Sequence, residues 1–155
     1  MSLLLAAALA LALNGRQTPP ASWTWTLYEG DGPVVLANEV PDTANLRATL
    51  QCDPRSSVID ITVYEEAPPA SQTPAEAAPP AGFARLTSGS ASATSEMRAS
   101  RAGRLAVTLR TDHPVFTSFV GGGDLTLMAG DRTRTIKVER PHLAKLRRFA
   151  DRCAG

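Results

Sequence analysis

The sequence predicts an all-β protein, an antiparallel sandwich or barrel, with a C-terminal α-helix that a disulfide bond staples to the sheet. Runs of alternating apolar and polar residues recur about every eight to twelve positions, with Gly, Pro and Asp turns between them. The last stretch, Arg140 to Cys153, carries apolar residues at helical spacing. The only other cysteine, Cys52, ends a predicted strand.

Length and composition are those of an ordinary globular protein. The chain has 155 residues, 43% of them hydrophobic but only 5% aromatic, so the core must consist mostly of Leu, Val, Ile and Ala. The net charge of +1 indicates no particular class of partner. We predict a signal peptide over residues 1–15, a flexible N-terminus over 16–22, and a single β-rich domain over 23–155.

The N-terminal stretch predicts export. Residues 1–13 are apolar apart from one serine, too short to span a bilayer, which takes about 20 residues. The stretch fits the apolar region of a signal peptide, and Ala10 and Ala12 supply the small residues of a cleavage site, although no Lys or Arg precedes Arg16. A buried N-terminal helix is the alternative. The interpretation as a signal peptide predicts a secreted or periplasmic protein with no transmembrane segment in the mature chain.

The first part of the chain predicts an antiparallel meander with one face toward water. Residues 23–28 alternate strictly, and Gly-rich residues 29–33 form a turn into a second strand over 34–38. Two further strands follow, Leu46–Cys52 and Val58–Tyr64, each with apolar residues at every second position. A Pro/Ala-rich loop at about 66–82 then interrupts the pattern.

The second part predicts more strands, with one ambiguous segment. Residues 88–100 are rich in Ser and Ala and fit either a loop or a frayed helix around Met97. Gly121–Gly123 reads as a hairpin turn rather than a phosphate-binding loop, because no Lys-Ser/Thr pair follows it. The predicted strands are 83–87, 105–110, 115–120, 124–128 and 133–138.

The final stretch predicts a helix and a disulfide bond. Pro141 suits the first helical position, and one apolar stripe then follows at Leu143, Leu146, Phe149 or Ala150, and Cys153. Cys52 shares its strand face with other apolar residues, so both cysteines point toward the body of the protein. Two cysteines in an exported chain favour one disulfide over a zinc or redox site.

No residue pattern names a reaction. Asp112, His113 and Ser118 could form a hydrolase site, but no Gly-x-Ser-x-Gly motif is present and such coincidences are common. A hydrolase with its site near His113 therefore stays an alternative. We expect no metal site and no cofactor. A third alternative is an enzyme inhibitor that presents the loop at 65–82; a tolerated insertion is the simpler interpretation of that loop.

Charge is distributed unevenly along the chain. Residues 23–76 hold nine acidic and two basic residues, whereas residues 132–152 hold eight basic and two acidic residues. One interpretation is a surface for an anionic partner; the other is a solvated helix face that complements the acidic sheet of its own domain. Nucleic acid is not expected, since no aromatic stacking pattern accompanies the arginines. The candidate surface consists of Lys145, Arg147, Arg148 and Arg152.

Five groups of residues form a recognisable order along the chain: Trp23-Thr-Trp25, Leu50-Gln-Cys52, Phe119 with Gly122, Leu125-Thr-Leu127, and Leu143, Leu146, Phe149 and Cys153. This order resembles a group of small secreted bacterial β proteins, the invasion-associated locus B proteins and the type VI secretion-associated VasI proteins. The resemblance implies an accessory role in the envelope and carries over no catalytic residue. We therefore expect a non-catalytic accessory or binding protein, with an envelope protein or an anionic surface as its partner.

Overall fold

The computed structural model describes residues 22–64, 82–98 and 104–155. The predicted signal peptide, and all but the last residue of the predicted loop at about 66–82, lie outside the described residues. The elements in chain order are β1 Thr24–Tyr28, β2 Val34–Glu39, β3 Leu46–Cys52, β4 Val58–Tyr64, β5 Phe83–Ser88, β6 Ala91–Glu96, β7 Arg104–Arg110, α1 Pro114–Gly122, β8 Asp124–Ala129, β9 Arg132–Lys137, a 3-10 turn Arg140–His142, and α2 Leu143–Cys153.

The first sheet confirms the predicted meander. Its five strands are all antiparallel and lie in the order β1-β2-β3-β4-β7. Alternate residues of the central strands are buried, as the period of two requires. On β4, Ile59, Ile61 and Val63 face the core, while Asp60 and Thr62 lie on the opposite, partly exposed face.

The second sheet has four antiparallel strands in the order β6-β5-β8-β9. Its strand β6 corrects the expectation of a loop or frayed helix over residues 88–100, of which 99 and 100 lie outside the described residues. Gly89, at φ +56°, allows a tight turn, and β6 then pairs with β5 along its whole length. The Ser/Ala composition hid the strand because β6 has no strongly buried face to give an alternating signal.

Helix α1 corrects the expectation of a strand over residues 115–120. The sequence there is rich in β-branched and aromatic residues, which favour strands. Local signals at both ends override that preference: Pro114 occupies the first turn, and the His113 ring nitrogen accepts a hydrogen bond from the Val115 N–H at 3.1 Å. The helix buries Val115, Phe116 and Phe119.

The glycines after α1 end the helix rather than form the hairpin turn that the sequence suggested. Gly121 and Gly122 belong to its last turn, and Gly123 follows in a left-handed conformation at φ +86°. The Gly123 N–H donates to the Phe119 carbonyl at 2.6 Å, and the Gly123 carbonyl accepts from Val138 at 2.7 Å. This residue therefore ties α1 to the chain beyond β9.

Helix α2 confirms the predicted C-terminal helix. It buries Leu146, Phe149 and Cys153, three members of the predicted stripe. The predicted disulfide bond joins Cys52 at the end of β3 to Cys153, with a Cα–Cα distance of 5.8 Å across a sequence separation of 101 residues. The segment 55–57 also holds the end of α2, because Arg55 and Ser57 N–H groups donate to the Arg152 and Cys153 carbonyls.

The two sheets form a sandwich-like body whose buried apolar residues make one continuous cluster. Helix α2 packs against β1 and β2, helix α1 packs against β5, β6 and β8, and the two helices contact each other. At one margin a bridge between Arg98 and Ala106 links the β6 end to β7. Helix α2 therefore covers β3 at its Cys52 end. Ala48, four residues earlier on the same strand, lines a cleft.

The disulfide bond gives the first prediction. Cys52→Ser and Cys153→Ser should lower the melting temperature by similar amounts, and the double variant should be no worse than either single one. Closing a loop of about 100 residues lowers denatured-state entropy by up to about 4.7 kcal/mol in the chain-entropy model. Thermal unfolding of all three variants measures this effect. Two reactive thiols in the denatured wild-type protein would contradict the bond itself.

The end of α1 gives the second prediction, with a matched control. Gly123→Ala should destabilise the protein by more than about 1–2 kcal/mol, because the left-handed conformation disfavours a Cβ. That Cβ would also overlap the Val138 carbonyl oxygen. Gly121→Ala should leave stability unchanged or raise it by up to about 1 kcal/mol, since a Cβ there meets nothing within 4 Å and alanine favours helices. Urea unfolding of both variants measures the change in the free energy of unfolding. Equal losses of stability in the two variants would contradict this account.

Candidate functional site

A cleft lies between the first sheet and the edge of the second, and its floor is one row of the first sheet. The register aligns Trp25 with Asn38, Asn38 with Ala48, and Ala48 with Val63 on four successive strands. Trp25, Ala48 and Val63 are buried, so this row lies on the core side of the sheet. Asn38 adds a carboxamide to an otherwise apolar floor.

Strand β9 forms the wall of the cleft, and two of its arginines occupy core-side positions. Arg132 pairs with Ala129 and Arg134 pairs with Leu127, both buried residues of β8. Residues directly opposite each other on paired strands project to the same face. Arg132 and Arg134 therefore share the inner face with buried Ile136, and all three line the cleft.

The rim of the cleft adds further charge and the aromatic ring of Tyr64. Arg47 and Tyr64 border it on the first sheet, Lys137 borders it at the end of β9, and Glu139 borders it just beyond that strand. The Arg47 guanidinium lies 4.0 Å from the centroid of the Trp23 ring, a cation–π contact that positions it at the rim. The cleft volume is about 720 Å³, within the range of about 300–1,000 Å³ typical of ligand sites.

Trp25 fixes β9 and α2 relative to the first sheet. Its indole Nε1–H donates to the Lys137 carbonyl at 3.0 Å, which holds the end of β9 beside the floor row. The Lys145 ammonium in the first turn of α2 donates to the Trp25 carbonyl at 2.5 Å. With its side chain 1% exposed, Trp25 thus connects the cleft to the helix that carries the disulfide bond.

The chemistry of this cleft suits binding of an anionic group that carries an apolar part. Among the described residues, four cationic side chains line it, those of Arg47, Arg132, Arg134 and Lys137, against one carboxylate, that of Glu139. Guanidinium groups match carboxylates and phosphates with two parallel hydrogen bonds, and they keep their charge at any physiological pH. The part of the lining that the structure describes contains no His, Cys or Ser.

The structure does not join the predicted hydrolase residues into one site. His113 uses its Nδ1 to cap α1, and the Ser118 hydroxyl lies 3.3 Å from that of Ser88. The Asp112 carboxylate accepts two hydrogen bonds from Arg110, at 2.9 and 2.7 Å, which lower the pKa of Asp112 below its ordinary value. Among the described residues no hydrogen bond connects these three side chains to one another.

The predicted basic surface of α2 is largely engaged with its own domain. Arg148 and Arg152 lie 2.8 and 3.5 Å from the Glu29 carboxylate, and Lys145 binds the Trp25 carbonyl. Within the described part of the chain, Arg147 has no ion pair. These contacts favour a solvated face that complements the acidic first sheet, and binding of an anionic partner there stays a prediction.

The period of two in the last strand is enough to predict that Arg132 and Arg134 lie on its inner face. Ile136 and Val138 are buried and mark the core side of the last strand. Counting back in steps of two from Ile136 reaches Arg134 and Arg132. The sequence interpretation assigned the strand but treated its arginines only as part of a regional charge excess.

No residue group that could hold a metal ion, meaning three or more His, Cys, Asp or Glu side chains, is found in 22–64, 82–98 and 104–155. In the same ranges, neither helix has the length and apolar character needed to cross a membrane. Comparisons with protein-family models, curated proteins and solved structures gave no match. The likeness to invasion-associated locus B and VasI proteins therefore stays a prediction.

Proposed function

We propose that this protein is a secreted or periplasmic, non-catalytic binding protein of the bacterial envelope that holds a carboxylate-bearing ligand in the cleft beside β9. The observation that carries the proposal is the pair of arginines on the inner face of that strand, Arg132 and Arg134. The floor of Trp25, Ala48 and Val63 would contact the apolar part of the same ligand.

Inner-face arginines are costly in a β-sandwich unless they serve another purpose. Such positions ordinarily bury apolar side chains. Arg132 and Arg134 lie opposite Ala129 and Leu127 of β8 and border the cleft. A guanidinium has five N–H donors, so an anion in the cleft can bind each arginine in addition to the contacts that the arginine makes within the protein. Placing cationic groups above an apolar floor supports recognition of an amphipathic anion rather than a purely apolar molecule.

The disulfide bond supports the proposed compartment. Bonds such as Cys52–Cys153 form and persist in oxidising environments, which include the bacterial periplasm and the exterior, and they are rare in the cytosol. Both cysteines are buried, at 3% and 0% exposure. The bond is therefore shielded from reductants and suits a structural role.

Ligand binding gives the third prediction. Poly-L-glutamate and polygalacturonate, two carboxylate polymers with different backbones, should bind the wild-type protein in a salt-sensitive manner by isothermal titration calorimetry. Arg132→Gln and Arg134→Gln should each weaken binding about tenfold, because hydrogen bonds to charged groups contribute about 1.5–3 kcal/mol and about 1.4 kcal/mol corresponds to tenfold.

Two control variants separate the cleft from other basic surfaces. Arg85→Gln removes an exposed arginine from the outer face of β5 and should leave binding unchanged. The triple change Arg147→Gln, Arg148→Gln and Arg152→Gln should also leave it unchanged. If the triple change abolished binding while the cleft variants did not, the surface of α2 would be the site. If neither polymer bound, the proposed function would be wrong.

Processing gives the fourth prediction. When the full chain is expressed in a Gram-negative host, the exported protein should begin between Leu13 and Ser22, because the small residues Ala10 and Ala12 favour cleavage near this point. N-terminal sequencing of the periplasmic and medium fractions measures the first residue. Protein that stays in the cytosol with Met1 intact would contradict the proposed location.

A further inference from the structure

Strand β9 is the last strand of the second sheet, and its outer edge faces the cleft. Among the described strands it pairs only with β8. In an antiparallel strand, alternate residues direct their N–H and C=O groups to opposite sides. The Val138 N–H bonds Gly123 on the β8 side, whereas the Lys137 carbonyl accepts from Trp25 on the other side. Thr133 and Thr135 lie four and two residues before Lys137, so their backbone N–H and C=O groups also point away from β8.

Among the described residues, the bonding of these outward groups is incomplete at Thr133 and Thr135. The Lys137 carbonyl is satisfied by the Trp25 indole, and the Thr133 carbonyl accepts from the Arg134 guanidinium at 3.1 Å. No described residue bonds the N–H or the C=O of Thr135, or the N–H of Thr133. The edge therefore offers a donor–acceptor pair at Thr135 and one further donor, the arrangement that an added strand would use.

We infer that the ligand of the cleft is an extended acidic peptide segment that adds to β9 as an antiparallel strand. This inference rests on the proposed function and narrows its ligand to a polypeptide. A residue opposite Thr135 would exchange two backbone hydrogen bonds with it. A glycan or lipid anion can also form ionic hydrogen bonds with arginines, but it lacks the paired backbone N–H and C=O that this edge matches.

The register of the added strand specifies its side chains. Residues opposite Ile136, Arg134 and Arg132 project to the inner face, toward the cleft. An apolar side chain suits the position opposite Ile136, where the cleft floor is apolar, and acidic side chains suit the other two. Because the added strand is antiparallel, the predicted order is apolar–x–acidic–x–acidic. Arg134 already reaches the strand edge through its bond to the Thr133 carbonyl.

A simpler interpretation treats the same arginines as protection of a sheet edge. Inward-pointing charges on an edge strand hinder pairing with another copy of the chain. Protection alone predicts that no peptide binds. Strand addition predicts a sequence-dependent and backbone-dependent ligand, so a peptide series distinguishes the two.

The test uses the full-length oxidised protein and a capped, fluorescently labelled peptide that contains Val-Thr-Glu-Thr-Glu. Its matched control carries an N-methyl group on the first threonine, the residue opposite Thr135. This methyl group removes one backbone hydrogen bond and blocks close pairing, while charge and side chains stay the same. Fluorescence anisotropy should show at least about tenfold weaker binding of the methylated peptide. Arg134→Gln should weaken binding of the parent peptide by a similar factor, and Arg85→Gln should not.

Hydrogen exchange of backbone amides distinguishes strand addition from binding through side chains alone, which would not protect the amides of the β9 edge. Binding should slow exchange of the Thr133 and Thr135 amides, measured by NMR, and leave the amides of the β6 edge unchanged. Equal binding of the parent and methylated peptides, or no binding of either, would overturn strand addition. If polygalacturonate still binds, the proposed function stands. If neither the peptides nor polygalacturonate bind, both proposals are wrong.

Discussion

The bond between Cys52 and Cys153 is the constraint on which the rest of the structure depends. It joins the third strand to the last helix across 101 residues of sequence. Helix α2 has only 11 residues, too few to persist alone in water. Held at one end by the disulfide and at the other by the Lys145–Trp25 hydrogen bond, it becomes a fixed part of the body. Trp25 then transmits that fixed position to β9 through its indole N–H, so the geometry of the cleft depends on a bond at the opposite end of α2.

How much of this fold the sequence predicts depends on whether local patterns and tertiary packing agree. β3 and β4 have strictly alternating burial, and their predicted bounds are those of the structure. The prediction of a strand over residues 115–120 was wrong, because these residues prefer strands but form helix α1, whose ends are set by a proline and by a glycine at φ +86°. The prediction missed β6 for a different reason, because an edge strand of small residues has no alternating apolar pattern to detect.

The cleft was harder to predict because its parts meet only through register. Asn38, Ala48 and Val63 are separate in sequence and become one row when three strands align. The sequence does predict that Arg132 and Arg134 share a face with Ile136. That this face borders a cleft rather than a filled core depends on how β9 is held beside Trp25, a contact over 112 residues that no local pattern contains.

The inner-face arginines connect stability, specificity and solubility. Two apolar side chains at these positions would place apolar surface on the core side of the sheet, but they would also leave an uncharged strand edge, whose backbone groups at Thr135 have no partner among the described residues. Arginines sacrifice that burial. They repel a second copy of β9, which brings the same two positive charges, and they attract a strand with opposite charge. A single pair of residues can therefore disfavour self-association and favour an acidic partner, because specificity is a difference between two affinities. The protective and the ligand-binding interpretations of β9 thus share one electrostatic cause, and they differ only in whether an acidic segment is present to occupy the edge.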